Sequence, residues 1–222
     1  MVFEKKDFIE IEFTGRVKNG DIFDSNIKED LKNADLDTEP KPFIFSLGEG
    51  MFLKGIEDFL TGKDVGKYEI ELSPEKAFGV RDGKLIKIVP SNVFKQRKLS
   101  PFPGAMFNFD GRMAKVLSVS GGRITVDFNN PVAGKTVIYN INVLRKVNDI
   151  NEKTKAFIDF LFRKDFKFKI DDKKLILEAE KNIANIVGAF KDKFKEILGL
   201  ELEVKEVEEK TSEIKEAEKK SQ

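Results

Sequence analysis

Residues 42–79 constrain the fold of this chain most, because a short helical pattern lies there between two strand patterns. Residues 43–47 and 67–72 alternate apolar with polar side chains, as half-buried strands do. Residues 56–60 carry an apolar side at helical spacing and are followed by a glycine. A helix with one apolar side must bury it against the sheet that the strands form. The stretch is rich in phenylalanine, which either fills an ordinary core or lines a cleft.

Three further strand patterns extend this unit. Residues 8–13 alternate, with Phe8 facing outward beside two glutamates and the other apolar residues facing inward. An Asn-Gly turn at 19–20 predicts a hairpin whose return strand is 22–25. Residues 137–143 alternate over seven positions and are predicted to form a central strand of the closing sheet.

The remaining chain divides into an insert, a C-terminal domain and a tail. Residues 84–129 contain several short strand patterns with Gly-rich turns and predict a small all-β module. Residues 151–207 predict a small α+β domain of helix, hairpin, one long helix over 178–198 and a last strand. Its core is thin, so self-association and a monomeric accessory domain are equally open. Residues 208–222 are rich in Glu and Lys and predict a disordered or frayed tail.

Composition excludes several classes of chemistry. The chain has no Cys and no His, which removes thiol catalysis, disulfides, the usual general base and the commonest metal ligands. Lys plus Arg is 40 and Asp plus Glu is 39, so the net charge of +1 gives no support for nucleic acid or a membrane as partner. No stretch is typical of a signal peptide or a membrane span, so a cytoplasmic location is expected. We expect neither a cofactor nor a metal.

Several motifs in order carry a resemblance to a known family. They are an aromatic-Thr-Gly strand in IEFTGRV, the Phe-Asp-Ser return strand in GDIFDS, and the strand and helix entry in PFIFSLGEGMFLKGIEDF. A Ser-Pro-x-x-Ala-aromatic-Gly motif follows in SPEKAFG, and the final strand lies in VIYNINVL. Together these segments resemble the FKBP-type peptidyl-prolyl cis-trans isomerases, and within them the SlyD-like branch. The likeness covers residues 6–149.

The resemblance implies a discontinuous isomerase domain formed by residues 1–83 and 130–150. Its fold would be a twisted antiparallel sheet wrapped on a short helix. The segment at 84–129 would be the insert-in-flap domain, which in this branch holds unfolded segments; a spacer is the alternative. With residues 151–207, the chain resembles a long, archaeal-type form that carries an extra C-terminal domain.

The resemblance also assigns nine positions to a proline pocket. They are Phe13, Phe23, Asp24, Phe43, Phe52, Leu53, Ile56, Phe78 and Tyr139. The aromatics would be walls, Ile56 the floor, and Asp24 a polar group, although an aspartate there also fits a turn or cap. The backbone of Phe52 and Leu53 would face the bound peptide. Phe45 and Phe59 are assigned to the core.

This chain departs from the family pattern at three positions. Phe13 and Phe78 stand where the family commonly has Tyr, so one hydrogen bond to a substrate carbonyl is lost and activity would be lower or depend on Tyr139. Asn130 stands where the branch usually has His, and the tail lacks the His-rich metal-binding segment. Storage or delivery of a metal is therefore disfavoured.

The chemistry of this family needs neither His nor Cys. Rotation about an X-Pro bond is opposed by amide resonance, and a dry apolar pocket favours the twisted, less polar amide over the planar one. The resemblance therefore implies a prolyl isomerase and folding chaperone whose partners are unfolded or nascent chains and proline-containing peptides. The alternative is a holdase or assembly factor whose isomerase pocket is weak or vestigial. A homodimer formed through the C-terminal domain stays open.

Overall fold

The computed structural model describes residues 2–208, which form an α+β fold of three sheets, as predicted. The predicted tail at 208–222 lies outside the described residues, apart from Glu208. No helix within residues 2–208 is long and apolar enough to cross a membrane. The strands are β1 (Phe8–Val17), β2 (Ile22–Ser25), β3 (Phe43–Ser46), β4 (Gly66–Leu72), β5 (Ile86–Pro90), β6 (Met106–Phe109), β7 (Arg112–Ser120), β8 (Arg123–Asp127), β9 (Val137–Val147), β10 (Phe168–Asp171), β11 (Lys174–Glu180) and β12 (Glu201–Val207). The helices are α1 (Lys28–Asn33), α2 (Lys54–Leu60), α3 (Ser91–Gln96), α4 (Ile150–Phe162), α5 (Lys181–Gly188) and α6 (Lys191–Leu198).

The first sheet is antiparallel and runs in the order β2–β1–β9–β4, with β3 paired to the same edge of β1 as β2. As predicted, β9 is central, since it pairs with β1 along ten residues and with β4 along seven. One face of this sheet packs on α2, which buries Ile56 and Leu60 completely. A Cβ on Gly55 would lie 2.7 Å from Leu72 Cδ2 and 2.8 Å from the Lys76 carbonyl oxygen, so only glycine lets α2 approach β4 this closely.

The end of the opposite face around Phe8 is covered by the C-terminal unit. Phe8, predicted to face outward, is only 1% exposed, and the Lys153 ammonium of α4 lies 5.9 Å from its ring centroid. Phe157 and Ile158 of α4 belong to the same contiguous core as Phe8. The prediction for Phe8 was wrong because alternation identifies the two faces of a strand but does not say whether a later element covers the second.

The C-terminal sheet runs in the order β10–β11–β12, with β10 antiparallel and β12 parallel to β11. The single long helix predicted over 178–198 is wrong. Its first residues prolong β11, where Leu177 and Ala179 are buried at the period of a strand, and the rest forms two helices that break at Ala189 and Phe190. At this break the ring of Phe190 packs on that of Phe162, with centroids 5.3 Å apart.

The insert forms its own antiparallel sheet in the order β5–β8–β7–β6. Pro90 is followed by the short helix α3, whose Phe94 is fully buried against the sheet. The core of this sheet is separate from the main core. The insert is therefore a packing unit of its own. Its buried residues are Phe94, Ala105, Ala114, Val116, Ile124 and Val126.

Candidate active site

Three phenylalanines from different elements meet at one end of the main core. Phe13 lies on β1, Phe43 on β3, and Phe52 in the loop that enters α2. Their ring centroids are 5.5 Å apart for Phe13 and Phe43, 5.1 Å for Phe13 and Phe52, and 5.0 Å for Phe43 and Phe52. These distances are typical of tilted and edge-to-face aromatic pairs. Phe45, predicted to be core, is fully buried and stacks behind Phe43 at 5.3 Å.

Tyr139 joins this group to a second pair of rings. Its ring centroid lies 5.6 Å from that of Phe52 and 5.9 Å from that of Phe23 on β2. Phe23 in turn meets Phe78 edge-on at 5.5 Å. The predicted aromatic positions are thus linked ring to ring. Phe59, predicted to be core, is half-buried against the main core and packs on Tyr68.

Gly15 makes room for Tyr139 in the sheet. The two residues lie directly opposite each other on β1 and β9. A Cβ on Gly15 would lie 2.8 Å from two ring carbons of Tyr139 and 3.2 Å from Phe23 Cζ. The glycine of the aromatic-Thr-Gly motif therefore has a packing role that sequence reasoning left unassigned.

A polar pair, Asp24 and Tyr139, lies among the rings. The Tyr139 hydroxyl donates to Asp24 Oδ2 at 3.5 Å, which is at the long limit of a hydrogen bond. Burial raises the pKa of Asp24, although the Tyr139 hydroxyl and the Ser25 backbone N–H oppose that rise. Burial, followed by the charge of Asp24, raises the pKa of Tyr139, so its hydroxyl keeps its proton. Tyr139 has no exposed surface, whereas Asp24 is half-buried, so the carboxylate is the polar group of this pair that a ligand could reach.

Glu57 organises the loop that carries Phe52, and sequence reasoning missed this role. Its carboxylate accepts backbone N–H groups from Gly48 at 2.8 Å, Gly50 at 3.1 Å and Phe52 at 2.7 Å, and the residue is only 3% exposed. Buried N–H groups need such acceptors, and both glycines have positive φ angles. An acidic residue on the predicted apolar helix, close behind a Gly-x-Gly turn, was the available signal.

Leu53 and Ile56 complete the predicted set without ring contacts. Leu53 is the N-cap of α2, and its carbonyl oxygen accepts the N–H groups of Ile56 and Glu57 at 2.9 and 3.1 Å. The Phe52 N–H is bound by Glu57. Among the hydrogen bonds of residues 2–208, the Leu53 N–H has no acceptor. Ile56 is fully buried beneath the loop and belongs to the core that the rings share.

Two polar residues at the end of β2 hold the strand that carries Phe13. The Phe13 N–H donates to Asn26 Oδ1 at 2.8 Å, and its carbonyl oxygen accepts the Ser25 hydroxyl at 2.9 Å. The Asn26 amide also donates to the Ile11 carbonyl oxygen at 2.9 Å. These bonds add to the pairing of β1 with β2 and hold the backbone of Phe13 in place.

The two ends of the insert lie side by side next to the site. The Asp82 N–H donates to Asn129 Oδ1 at 2.9 Å, and the Asn129 amide donates to the Asp82 carbonyl oxygen at 3.0 Å. The Gly134 N–H donates to the Gly79 carbonyl oxygen at 2.8 Å. Asn130, where a His was the family expectation, accepts the Val132 N–H in a local turn. Within residues 2–208, no group of three His, Cys, Asp or Glu side chains could hold a metal ion.

Exposed apolar side chains are concentrated in the insert. Ile88 is 65% exposed and Phe102 is 63% exposed. The others in the insert are Met106, Met113, Leu117 and Val119. Large apolar patches that remain exposed in a folded protein mark interaction sites.

Comparisons with known proteins agree with this arrangement. A family model described as FKBP-type peptidyl-prolyl cis-trans isomerase matches residues 2–99, and one described as FKBP26, IF domain, matches residues 87–132. The short-type peptidyl-prolyl cis-trans isomerase of Methanocaldococcus jannaschii is 30% identical over 146 residues, which are 64% of this chain and 92% of that protein. The FKBP-type 16 kDa peptidyl-prolyl cis-trans isomerase of Escherichia coli K12 is 40% identical over 110 residues, 47% of this chain and 73% of that protein. The SlyD isomerase of Aeromonas hydrophila is 25% identical over 138 residues, 61% of this chain and 60% of that protein.

Proposed function

The chain belongs to the FKBP-type peptidyl-prolyl cis-trans isomerase family, in the SlyD-like branch with a domain inserted in the flap, and on that premise we propose that its aromatic cluster is the pocket where X-Pro bonds rotate. The observation that supports this most is the unbroken set of ring contacts from Phe43 through Phe52 and Tyr139 to Phe23 and Phe78. Four of the rings in the cluster, those of Phe23, Phe43, Phe52 and Phe78, are half-buried.

In the proposed mechanism the pocket acts on the amide without forming a covalent bond. The barrier to rotation is about 18–20 kcal/mol because resonance keeps the amide planar and polar. The walls, with Ile56 beneath them, exclude water and so disfavour the planar amide relative to the twisted one. Each tenfold acceleration needs about 1.4 kcal/mol of such differential stabilisation. Aromatic walls and one or two oriented polar groups are enough.

Two groups supply the polar contacts in this proposal. The Leu53 N–H, which has no acceptor among residues 2–208, donates to a carbonyl oxygen of the bound peptide. The Asp24 carboxylate faces the twisting carbonyl carbon and its nitrogen, held in place by the Tyr139 hydroxyl. Tyr139 is fully buried, so it acts on the peptide through Asp24.

The insert is proposed to hold unfolded chains beside the pocket. Its exposed apolar side chains bind apolar segments of a client, and its two ends leave the isomerase domain next to the pocket, at Asp82 and Asn129. The X-Pro peptide bonds of a segment held by the insert are therefore at high local concentration beside the pocket. We place this activity in the cytoplasm. Dimerisation through the C-terminal unit stays a prediction.

A tetrapeptide and an unfolded protein test this division of labour. Because Asp82 and Asn129 are already hydrogen-bonded, a short Gly-Ser link between them can replace the insert. Turnover of the tetrapeptide should stay within about threefold, while proline-limited refolding of the protein should slow at least about tenfold. A variant with Ile88→Ser and Met113→Ser should slow refolding in the same direction. Leu144→Ser with Ile186→Ser is the matched control, since those side chains are also exposed but lie outside the insert.

The second candidate function is a holdase with a weak pocket. The absence of Tyr at positions 13 and 78 favours it, because two hydroxyls are missing from the walls. Phe78→Tyr restores one of them on a half-buried ring. If the wild type prevents aggregation but turns over neither substrate, and Phe78→Tyr creates activity, the holdase reading replaces the isomerase reading.

A further inference from the structure

The insert carries a charge that the rest of the chain does not share. Residues 84–129 contain eight Lys and Arg side chains and two Asp, a net charge of +6. The isomerase domain at 1–83 and 130–150 contains 15 basic and 20 acidic side chains, and the whole chain is only +1. The near-neutral total therefore conceals a basic module attached to an acidic one.

Both acidic groups of the insert already have basic partners. Asp127 is 5% exposed and is paired with Arg81, which lies outside the insert. Asp110 is paired with Arg97 at 3.3 Å. The other seven basic side chains have no carboxylate within 4.0 Å among residues 2–208. Those seven are Lys84, Lys87, Lys95, Lys98, Arg112, Lys115 and Arg123.

Two of the unpaired cations, Lys115 and Arg123, lie on the same sheet face as exposed apolar side chains. Cross-strand partners project to one side of a sheet, and the register aligns Met106 with Lys115 across β6 and β7. Met113 lies two residues from Lys115 and so projects to the same side. On β5 and β8, Ile88 lies opposite Thr125, two residues from Arg123. Lys115 in turn lies opposite Asp127, four residues from Arg123 on β8, so both strand pairs present the same side. We call this exposed side, with Met106, Met113, Ile88, Lys115 and Arg123, the outer face.

We propose that the outer face selects acidic unfolded polypeptide segments, those in which Asp or Glu is interspersed with apolar residues. This inference rests on the proposed chaperone role of the insert and names its substrate class. Methionine side chains adapt to many apolar shapes, while the unpaired cations favour carboxylates over ammonium groups. A basic segment of equal apolar content would meet like charge on the insert and would bind less tightly.

The chemistry of the face favours a polypeptide over a nucleic acid. Single-stranded nucleic acids bind on aromatic side chains that stack with bases. In the insert the rings of Phe94, Phe107 and Phe109 pack on one another in the core, and Phe102 is the one phenylalanine among residues 84–129 that is largely exposed. The outer face offers aliphatic side chains and methionines instead.

The test uses the full chain and three fluorescent probes. Two are unfolded peptides with the same apolar residues and proline count, one with Glu and one with Lys at the remaining positions, and the third is a single-stranded oligonucleotide of the same charge as the acidic peptide. We expect the acidic peptide to bind at least about tenfold more tightly than the basic one at about 0.05 M salt. The preference should shrink at about 0.5 M, where screening is stronger.

Charge-reversed variants assign the preference to the insert. Lys115→Glu and Arg123→Glu together should remove or invert the preference, and a melting curve shows that the variant is folded. The matched control is Lys28→Glu and Lys155→Glu, two exposed lysines outside the insert that should leave the preference unchanged.

The outcomes distinguish this inference from the proposed chaperone role on which it rests. Equal binding of both peptides, with binding lost in the Ile88→Ser and Met113→Ser variant, overturns the charge selection and keeps the chaperone role. Binding that this variant does not affect overturns both. Tighter binding of the oligonucleotide than of the acidic peptide overturns the assignment to polypeptides.

Discussion

The backbone N–H of Phe52 donates to the buried carboxylate of Glu57 at 2.7 Å. Two further backbone N–H groups of the same loop also donate to this carboxylate. One side chain therefore fixes the position of a proposed pocket wall. Glu57 touches no substrate in our proposal and is therefore a positioning residue.

Glu57→Ala should destabilise the fold and lower catalysis together. Each buried donor left without an acceptor costs about 1–3 kcal/mol, so we expect a loss of at least about 3 kcal/mol in the free energy of unfolding. Glu57→Gln keeps one carbonyl oxygen as an acceptor, so its free energy of unfolding should fall between those of the wild type and of Glu57→Ala. Asp58→Asn, which breaks only an exposed pair with Lys54, is the control and should cost under about 1 kcal/mol. Denaturant unfolding and tetrapeptide kcat/KM measure both effects; if Glu57→Ala behaves like the control, the positioning role is wrong.

Gly15→Ala should disturb the pocket through overpacking. The added methyl would lie 2.8 Å from the Tyr139 ring, and forced repacking of a filled core costs about 1–3 kcal/mol. Since Tyr139 and Phe23 must both move, the kcat/KM for a tetrapeptide should also fall. Gly83→Ala is the matched control, because a Cβ there meets open space. Equal stability of the two variants would contradict the close approach.

Asp24→Asn should show a pH-dependent gain in stability. Burial raises the pKa of Asp24 above 3.8 in the folded state, so the folded protein binds this proton more tightly than the unfolded chain. The resulting stabilisation is complete below pH 3.8 and is lost as the pH rises through the raised pKa. Asn cannot ionise and keeps an acceptor for Tyr139, so the variant should be the more stable protein at neutral pH but not below pH 3.8.

Urea unfolding at several pH values measures this difference, with the exposed Asp21→Asn as control. A stability difference that stays constant from neutral to acidic pH would contradict the linkage. In catalysis the same Asp24→Asn variant should lose about tenfold in kcat/KM, because the charge facing the amide is gone.

Phe157→Ala should destabilise the isomerase domain and the C-terminal unit together. Phe157 is 1% exposed, lies 5.1 Å from Phe194 and belongs to the core that also contains Phe8. Truncating a buried phenylalanine costs about 3–5 kcal/mol. Ile186→Ala removes a side chain that is 58% exposed and should cost under about 0.5 kcal/mol. Calorimetry that resolves separate transitions for the two parts would show that they do not share one core.

Much of the main sheet could be predicted because each strand is half-buried. Alternation identified the inward side of the strands, and the alternation of residues 137–143 predicted that β9 is a central strand. The break between α5 and α6 could not be predicted, since apolar residues continue at helical spacing through it. At the break Phe190 packs on Phe162, from a helix almost thirty residues earlier. Such contacts leave no local pattern.

The sequence by itself determined the half-buried strands, the absence of thiol and imidazole chemistry, and the motif positions that resemble the family. Only the tertiary structure decided what covers Phe8, why position 15 must be glycine, and which N–H groups donate to the carboxylate of Glu57. It also placed Lys115 and Arg123 on the same face of the insert as Met106, Met113 and Ile88. The physical reason is that side-chain type and period depend on the local chain, whereas close approach, burial of a polar group and pairing of charge depend on elements that meet only after folding.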